Sequence, residues 1–88
     1  MQQTILTVTN KSGLHARPAA LLVKAASDFK ADVTILKDGK SFNAKSILSV
    51  MSAGVRQEEA ITIQTTGVDE QEALAAIMAL IQSNFGEG

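Results

Sequence analysis

Asp32-Val33-Thr34-Ile35-Leu36-Lys37-Asp38-Gly39-Lys40-Ser41-Phe42-Asn43 decides the fold. Val33 and Ile35 fall on one face, the period of a half-buried strand. Asp38-Gly39 is a strong two-residue hairpin signal, because such turns need positive φ at their centre. Lys40 to Asn43 should therefore return antiparallel to Asp32–Lys37. In so short a chain this implies an antiparallel sheet with helices covering one face.

The pattern extends outward in both directions. Thr4 to Thr9 is β-branched, with Leu6 and Val8 on one face, and predicts a first strand. Asn10-Lys11-Ser12-Gly13 is a turn cluster. A helix follows from about Ala16 to Phe29, with Ala19, Leu22, Val23 and Ala26 at helical spacing. Pro18 fits only a first turn, where its missing N–H is no loss, which places the helix start at His15 or Ala16. Beyond the hairpin, Ile47 to Ser52 suits a short helix, with Ser46 placed to cap it and Gly54 ending it. Ala60 to Thr65 is a strand with Ile61 and Ile63 facing the core. Asp69-Glu70-Gln71-Glu72 has the form of a capping box. The last helix should run to about Asn84, burying Leu74, Ile77, Met78 and Ile81, and Gly86 suits a left-handed cap. The order is β-α-β-β-α-β-α, an α+β fold.

The 88 residues make one domain with a modest core built from aliphatic residues, since there are three Phe and no Trp, Tyr or Cys. No basic stretch leads into an apolar run, and no apolar run approaches the roughly 20 residues of a membrane span. A cytoplasmic protein without membrane insertion is expected. Residues 1–56 hold all eight Lys and Arg against three acids, a net of +5, whereas residues 57–88 hold six acids and no Lys or Arg. A basic surface facing acidic partners or a phosphate would use this asymmetry; an acidic last helix alone would also account for it.

His15 is the single histidine, between a loop and a helix start, in Gly13-Leu14-His15-Ala16-Arg17-Pro18. Isolated histidines are usually structural, but three local features favour chemistry. A helix N-terminus offers unpaired N–H groups and positive partial charge to a phosphate. Arg17 can supply a guanidinium fork to phosphate oxygens. Gly13 permits an unusual loop backbone. A neutral imidazole is a good nucleophile near pH 7, so the constellation suits a histidine that accepts and releases a phosphoryl group. Other chemistries lack their parts. One His and scattered carboxylates make no metal site, no acid and nucleophile flank His15 as a triad, and no Gly-rich nucleotide loop is present. No cofactor is expected. Few aromatics and a negative net charge argue against direct nucleic-acid binding.

Gly13-Leu14-His15-Ala16-Arg17-Pro18-Ala19 resembles the active-site signature of HPr, the histidine-containing phosphocarrier family of the bacterial phosphoenolpyruvate:sugar phosphotransferase system. Lys45-Ser46-Ile47-Leu48-Ser49-Val50-Met51 is similar to that family's second motif, in its Gram-positive form. The resemblance spans the whole chain. It implies an open-faced β-sandwich, a four-stranded antiparallel sheet covered on one face by three helices. It implies a stoichiometric carrier, and no enzyme, in which His15 takes phosphate at Nδ1 from phosphorylated enzyme I and passes it to an enzyme IIA domain. Arg17 would assist, and Ala16 and Arg17 would hold the phosphate. Ser46 would be a regulatory phosphorylation site, read by HPr kinase/phosphorylase and a catabolite-control transcription regulator. A serine at a helix start is otherwise an ordinary cap. Ala75 to Leu80 has a flavour of the nitrogen-branch carriers, an alternative with the same histidine chemistry. His15 itself argues against the HPr paralogue in which that histidine is replaced.

Ile47, Leu48 and Met51 cluster on one side of the short helix. They would either pack in the core or form an apolar docking patch for partners, extended by Ala20 and Lys24 on the first helix. The protein is expected to act as a monomer. From other classes, a small ligand-binding regulatory domain with a structural His15, or a pure interaction protein using residues 47–51, remain as alternatives.

Overall fold

The computed structural model describes residues 1–87. The elements are β1 (Gln2–Val8), α1 (Arg17–Ser27), β2 (Asp32–Lys37), β3 (Lys40–Asn43), α2 (Ile47–Ser52), β4 (Glu59–Thr66) and α3 (Glu70–Gln82), followed by a 3-10 turn over Asn84–Gly86. The four strands form one antiparallel sheet in the order β1-β4-β2-β3. The Asp38-Gly39 turn has φ of +53° and +77° and pairs Lys37 with Lys40. The α+β fold and the βαββαβα order expected from the hairpin are those observed.

Register puts Leu6 and Val8, Ile61 and Ile63, and Val33 and Ile35 on the same face of the sheet. All six are buried, against Leu22 and Ala26 of α1, Val50 of α2, and Ala73, Ile77 and Ile81 of α3. The other face, with Gln3, Ile5, Thr62 and Thr34, is covered by no helix; Ile5 is 73% exposed. Removing these aliphatic side chains from water is the main stabilising term, at about 25 cal/mol per Å². No helix among the described residues is long and apolar enough to cross a membrane.

Several local expectations need correction. β1 begins at Gln2 and stops before Thr9, and β4 extends one residue beyond Ala60–Thr65 at each end, because pairing with β1 runs from Gln2–Thr65 to Val8–Glu59 and pairing with β2 adds Asp32–Thr66. α1 begins at Arg17, since Ala16 has φ +53° and ψ −116° and cannot be helical. The capping box at the start of α3 does not form. The Asp69 carboxylate instead accepts the N–H groups of Lys30 (2.9 Å) and Ala31 (2.8 Å) across the fold. Glu70, and not Glu72, reaches back to a backbone N–H, that of Gly67 at 3.0 Å. The buried row of α3 is Ala73-Ile77-Ile81, so Leu74 and Met78 sit on its shoulder, partly buried. α3 ends at Gln82 because Asn84, Phe85 and Gly86 all take positive φ, turning the chain so that Phe85 is buried.

Candidate functional site

The loop between β1 and α1 is held by its neighbours and not by its own length. Leu14 is 1% exposed and donates its N–H to the Val55 carbonyl at 3.0 Å. Gly13 lies so close to this segment that a Cβ there would fall 2.3 Å from the Val55 oxygen, and its φ is +59°. Glycine is thus required twice over. With Leu14 and Pro18 buried as anchors on either side, His15, Ala16 and Arg17 are left exposed between them.

Ala16 holds a backbone conformation that costs a non-glycine residue about 1–3 kcal/mol, which the anchors at Leu14 and Pro18 impose. It is also the N-cap residue of α1, and no side chain caps that helix. The first-turn N–H groups, next to His15 in the chain, therefore receive no side-chain acceptor from the cap position. Neither ion pair among the described residues involves Arg17. An uncapped helix start, an unpaired guanidinium and an exposed imidazole meet within three residues, an arrangement that favours a phosphoryl group.

None of three surface clefts of about 410–490 Å³ is lined by His15. His15 lies on the open surface, outside all three. Among the described residues no group of three His, Cys, Asp or Glu comes together.

Ser46 is extended, with φ −122°, and its Oγ accepts the Ser49 N–H at 3.2 Å as the N-cap of α2. The Lys45 ammonium donates to the Phe29 carbonyl just past α1 at 2.8 Å, tying the two segments together. α2 packs on α1. Val50 is fully buried, Leu48 is 81% and Ile47 47% exposed, and Met51 is partly buried against the core. Ala20 and Lys24 are exposed on α1.

Lys37 escaped the sequence reading. It continues the inward phase of Val33 and Ile35, so the alternation alone puts a charge on the core face. Its ammonium donates to the Ala53 (3.3 Å) and Gly54 (3.0 Å) carbonyls past the end of α2 and pairs with Glu59 at 3.1 Å. The Arg56 N–H, then Lys37, hold the Glu59 carboxyl below its ordinary pKa. This cluster fixes the Gly54–Glu59 segment, and with it the Val55 carbonyl on which Leu14 rests.

The matches to known proteins agree with this geometry. Residues 2–83 match the family described as the PTS HPr component phosphorylation site. The phosphocarrier protein HPr of Cupriavidus necator is 43% identical over 88 residues, covering 100% of this chain and 99% of that protein. The crystal structure of HPr-C-His from Thermoanaerobacter tengcongensis superposes with a TM-score of 0.98 at 46% identity, covering 100% and 99% of the two chains. The Bacillus subtilis catabolite repression protein Crh, a dimer with a swapped domain, gives a TM-score of 0.77 at 46% identity over 96% and 97%. The fold, the motif around His15 and these matches together place the chain in the HPr family of phosphocarriers of the phosphotransferase system.

Proposed function

We propose that the chain carries a phosphoryl group on His15 between two proteins of the phosphotransferase system, enzyme I as donor and an enzyme IIA domain as acceptor. The observation that carries this reading is the exposed His15 beside the uncapped start of α1 and the unpaired Arg17. The lone pair of neutral His15, at Nδ1, attacks the phosphorus of the donor's phosphohistidine. One P–N bond forms as the donor's P–N bond breaks, and the donor imidazole leaves with that electron pair. The first-turn N–H groups at Ala16 and Arg17 and the guanidinium of Arg17 hold the equatorial oxygens. Transfer to enzyme IIA repeats the step with roles exchanged, so the protein is a carrier regenerated at each cycle and no enzyme.

Docking is assigned to Leu48, Ile47 and Met51 with Ala20 and Lys24, a mixed apolar and cationic surface where α2 meets α1. Phosphorylation of Ser46 by HPr kinase/phosphorylase would place about −1.5 to −2 charge beside Ile47 and Leu48. That charge opposes docking on an apolar or acidic partner and gives a catabolite-control transcription regulator something to read. The protein works as a cytoplasmic monomer in this reading; light scattering at working concentration tests that directly, and a dimer like that of the Crh relative would contradict it.

The deciding experiment mixes the protein with enzyme I and phosphoenolpyruvate and seeks an acid-labile phosphoryl adduct. It should form on His15 and vanish in His15→Ala, whose stability should stay within about 1 kcal/mol of wild type. Absence of the adduct in the wild type would sink the carrier reading. Enzyme IIA domains of the sugar and nitrogen branches, offered in parallel, decide between the two branches by which one drains the phosphoryl group faster.

A further inference from the structure

The His15 loop has a second support besides Val55. Asn10 is only 3% exposed, and its Nδ2 donates to the Gly13 carbonyl (2.9 Å) and to Glu87 Oε1 (3.2 Å). Ser12 Oγ donates to the other oxygen of the same carboxylate, Glu87 Oε2, at 3.3 Å. Thr9 Oγ1 donates to Asn84 Oδ1 at 2.5 Å. Two residues of the turn cluster, with Thr9 before it, thus bond to the turn that follows α3, some 75 positions later in the chain.

That turn is well fixed. Asn84, Phe85 and Gly86 have φ of +55°, +55° and +74°, and Phe85 is 5% exposed. Left-handed backbone at two non-glycine residues persists only where the surroundings over-determine it, and burial of the Phe85 ring supplies that. The Glu87 N–H then bonds to the Asn84 carbonyl at 2.9 Å, which aims the Glu87 side chain back at the loop. Asn10 Oδ1 is buried without a partner. A buried amide left half-unsatisfied carries a desolvation cost, so the two Nδ2 bonds must outweigh it. Both join the loop: one closes Asn10 on Gly13, the other ties that closure to Glu87.

We propose that Asn10 and Glu87 are positioning residues for phosphoryl transfer: the turn after α3 latches the 10–13 turn, and through Gly13 and Leu14 it sets where His15 and Ala16 stand. This rests on His15 being the phosphoryl acceptor. The latch touches neither the imidazole nor the phosphate. It acts by keeping the loop in the receiving conformation, so its loss lowers the fraction of molecules ready to react and leaves the docking surface on α1 and α2 as it was.

The test uses the full chain with Glu87→Ala, Glu87→Gln and Asn10→Ala, enzyme I with phosphoenolpyruvate, and amide hydrogen exchange followed by NMR. Glu87→Ala should speed exchange at Gly13 and Leu14 about tenfold, the worth of one to two net hydrogen bonds. Amides of β4 and α3 should keep their wild-type rates. The turnover of His15 phosphorylation should fall several-fold with the half-saturating concentration for enzyme I unchanged. Glu87→Gln, which retains one side-chain oxygen acceptor, should recover part of both effects. Asn10→Ala should act in the same direction and more strongly. Glu87 is exposed, so its variants keep the proposal testable if Asn10→Ala fails to fold. Wild-type exchange at Gly13 and Leu14 in Glu87→Ala would overturn the latch, as would a rise in exchange spread evenly over the whole fold. A change confined to the half-saturating concentration would overturn the positioning role in favour of docking. A wild type that takes no phosphoryl group would overturn the carrier reading instead, and the exchange data would still decide whether the latch exists.

Discussion

The starts of α1 and α2 solve the same problem in opposite ways. Every helix begins with N–H groups that have no partner inside it. At α2, Ser46 closes the account locally: its backbone is extended and its hydroxyl accepts the Ser49 N–H. At α1 the cap position holds Ala16, in a conformation costly for alanine, with no side chain to accept anything. One helix start is finished and the other is left open, and the open one carries His15 and Arg17. The difference teaches where to look for a ligand: where local stability has been given up and neighbouring residues hold the gap open.

Four measurements sharpen or break this contrast. The largest effect should come from Gly13→Ala, which meets both the left-handed φ and the Val55 carbonyl. It should destabilise the fold by about 2–4 kcal/mol, seen as a lowered denaturant midpoint with unchanged slope. A neutral result would mean that the loop is not pinned by Val55. Next, Arg17→Ala should slow phosphoryl acceptance about tenfold to a hundredfold with stability unchanged, and Arg17→Lys should fall between, keeping the charge and losing the fork. Equal rates for all three would remove Arg17 from the site. The converse holds at α2. Ser46→Ala should cost about 1 kcal/mol of stability and leave His15 chemistry with a small donor intact. Ser46→Asp keeps a capping oxygen and should instead raise the amount of protein needed for half-maximal transfer from enzyme I. A destabilised Ser46→Asp with wild-type partner affinity would leave Ser46 a cap and nothing more.

The smallest effect is with pH. The Lys30 N–H, and then that of Ala31, hold the Asp69 carboxyl below its ordinary value of 3.8; the Arg56 N–H and Lys37 do the same to Glu59, ordinarily 4.5. Both folded values are lowered, so both carboxylates contribute stability that is fully present above their ordinary values. That stability drains away as pH falls through the depressed values. Stability should be level with respect to these groups from neutral pH to about 5, then decline below it. Asp69→Asn and Glu59→Gln should each flatten the decline in acid denaturation; an unchanged profile in both would show that these contacts do not persist in solution.

Much of this was legible beforehand, for definite reasons. Asp38-Gly39 announces its turn through φ, Ser46 its cap through a short side chain before an apolar run, and Pro18 the first turn of α1 through its missing N–H. Each is a local signal with a local cause, and His15 could be singled out because it stands among them. Signals whose partner is distant misled. Asp69 in front of Glu72 has the form of a capping box, yet its carboxylate serves Lys30 and Ala31, which only the folded chain brings near. Phe85 ends α3 early because the core has room for it, and nothing within the helix says so. Asn10 looks like any turn residue; its partner Glu87 lies 77 positions away in the sequence. Lys37 is intermediate, since strand alternation already pointed it inward and only its partners were hidden.

The bare face of the sheet has a practical consequence. Ile5 lies on it, 73% exposed, opposite Thr62 and on the side away from all three helices. The chain contains no cysteine. Ile5→Cys would therefore create one unique thiol for a fluorophore or a surface tether. The substitution should change stability by no more than about 0.5 kcal/mol, and the label would leave the helices free to meet their partners.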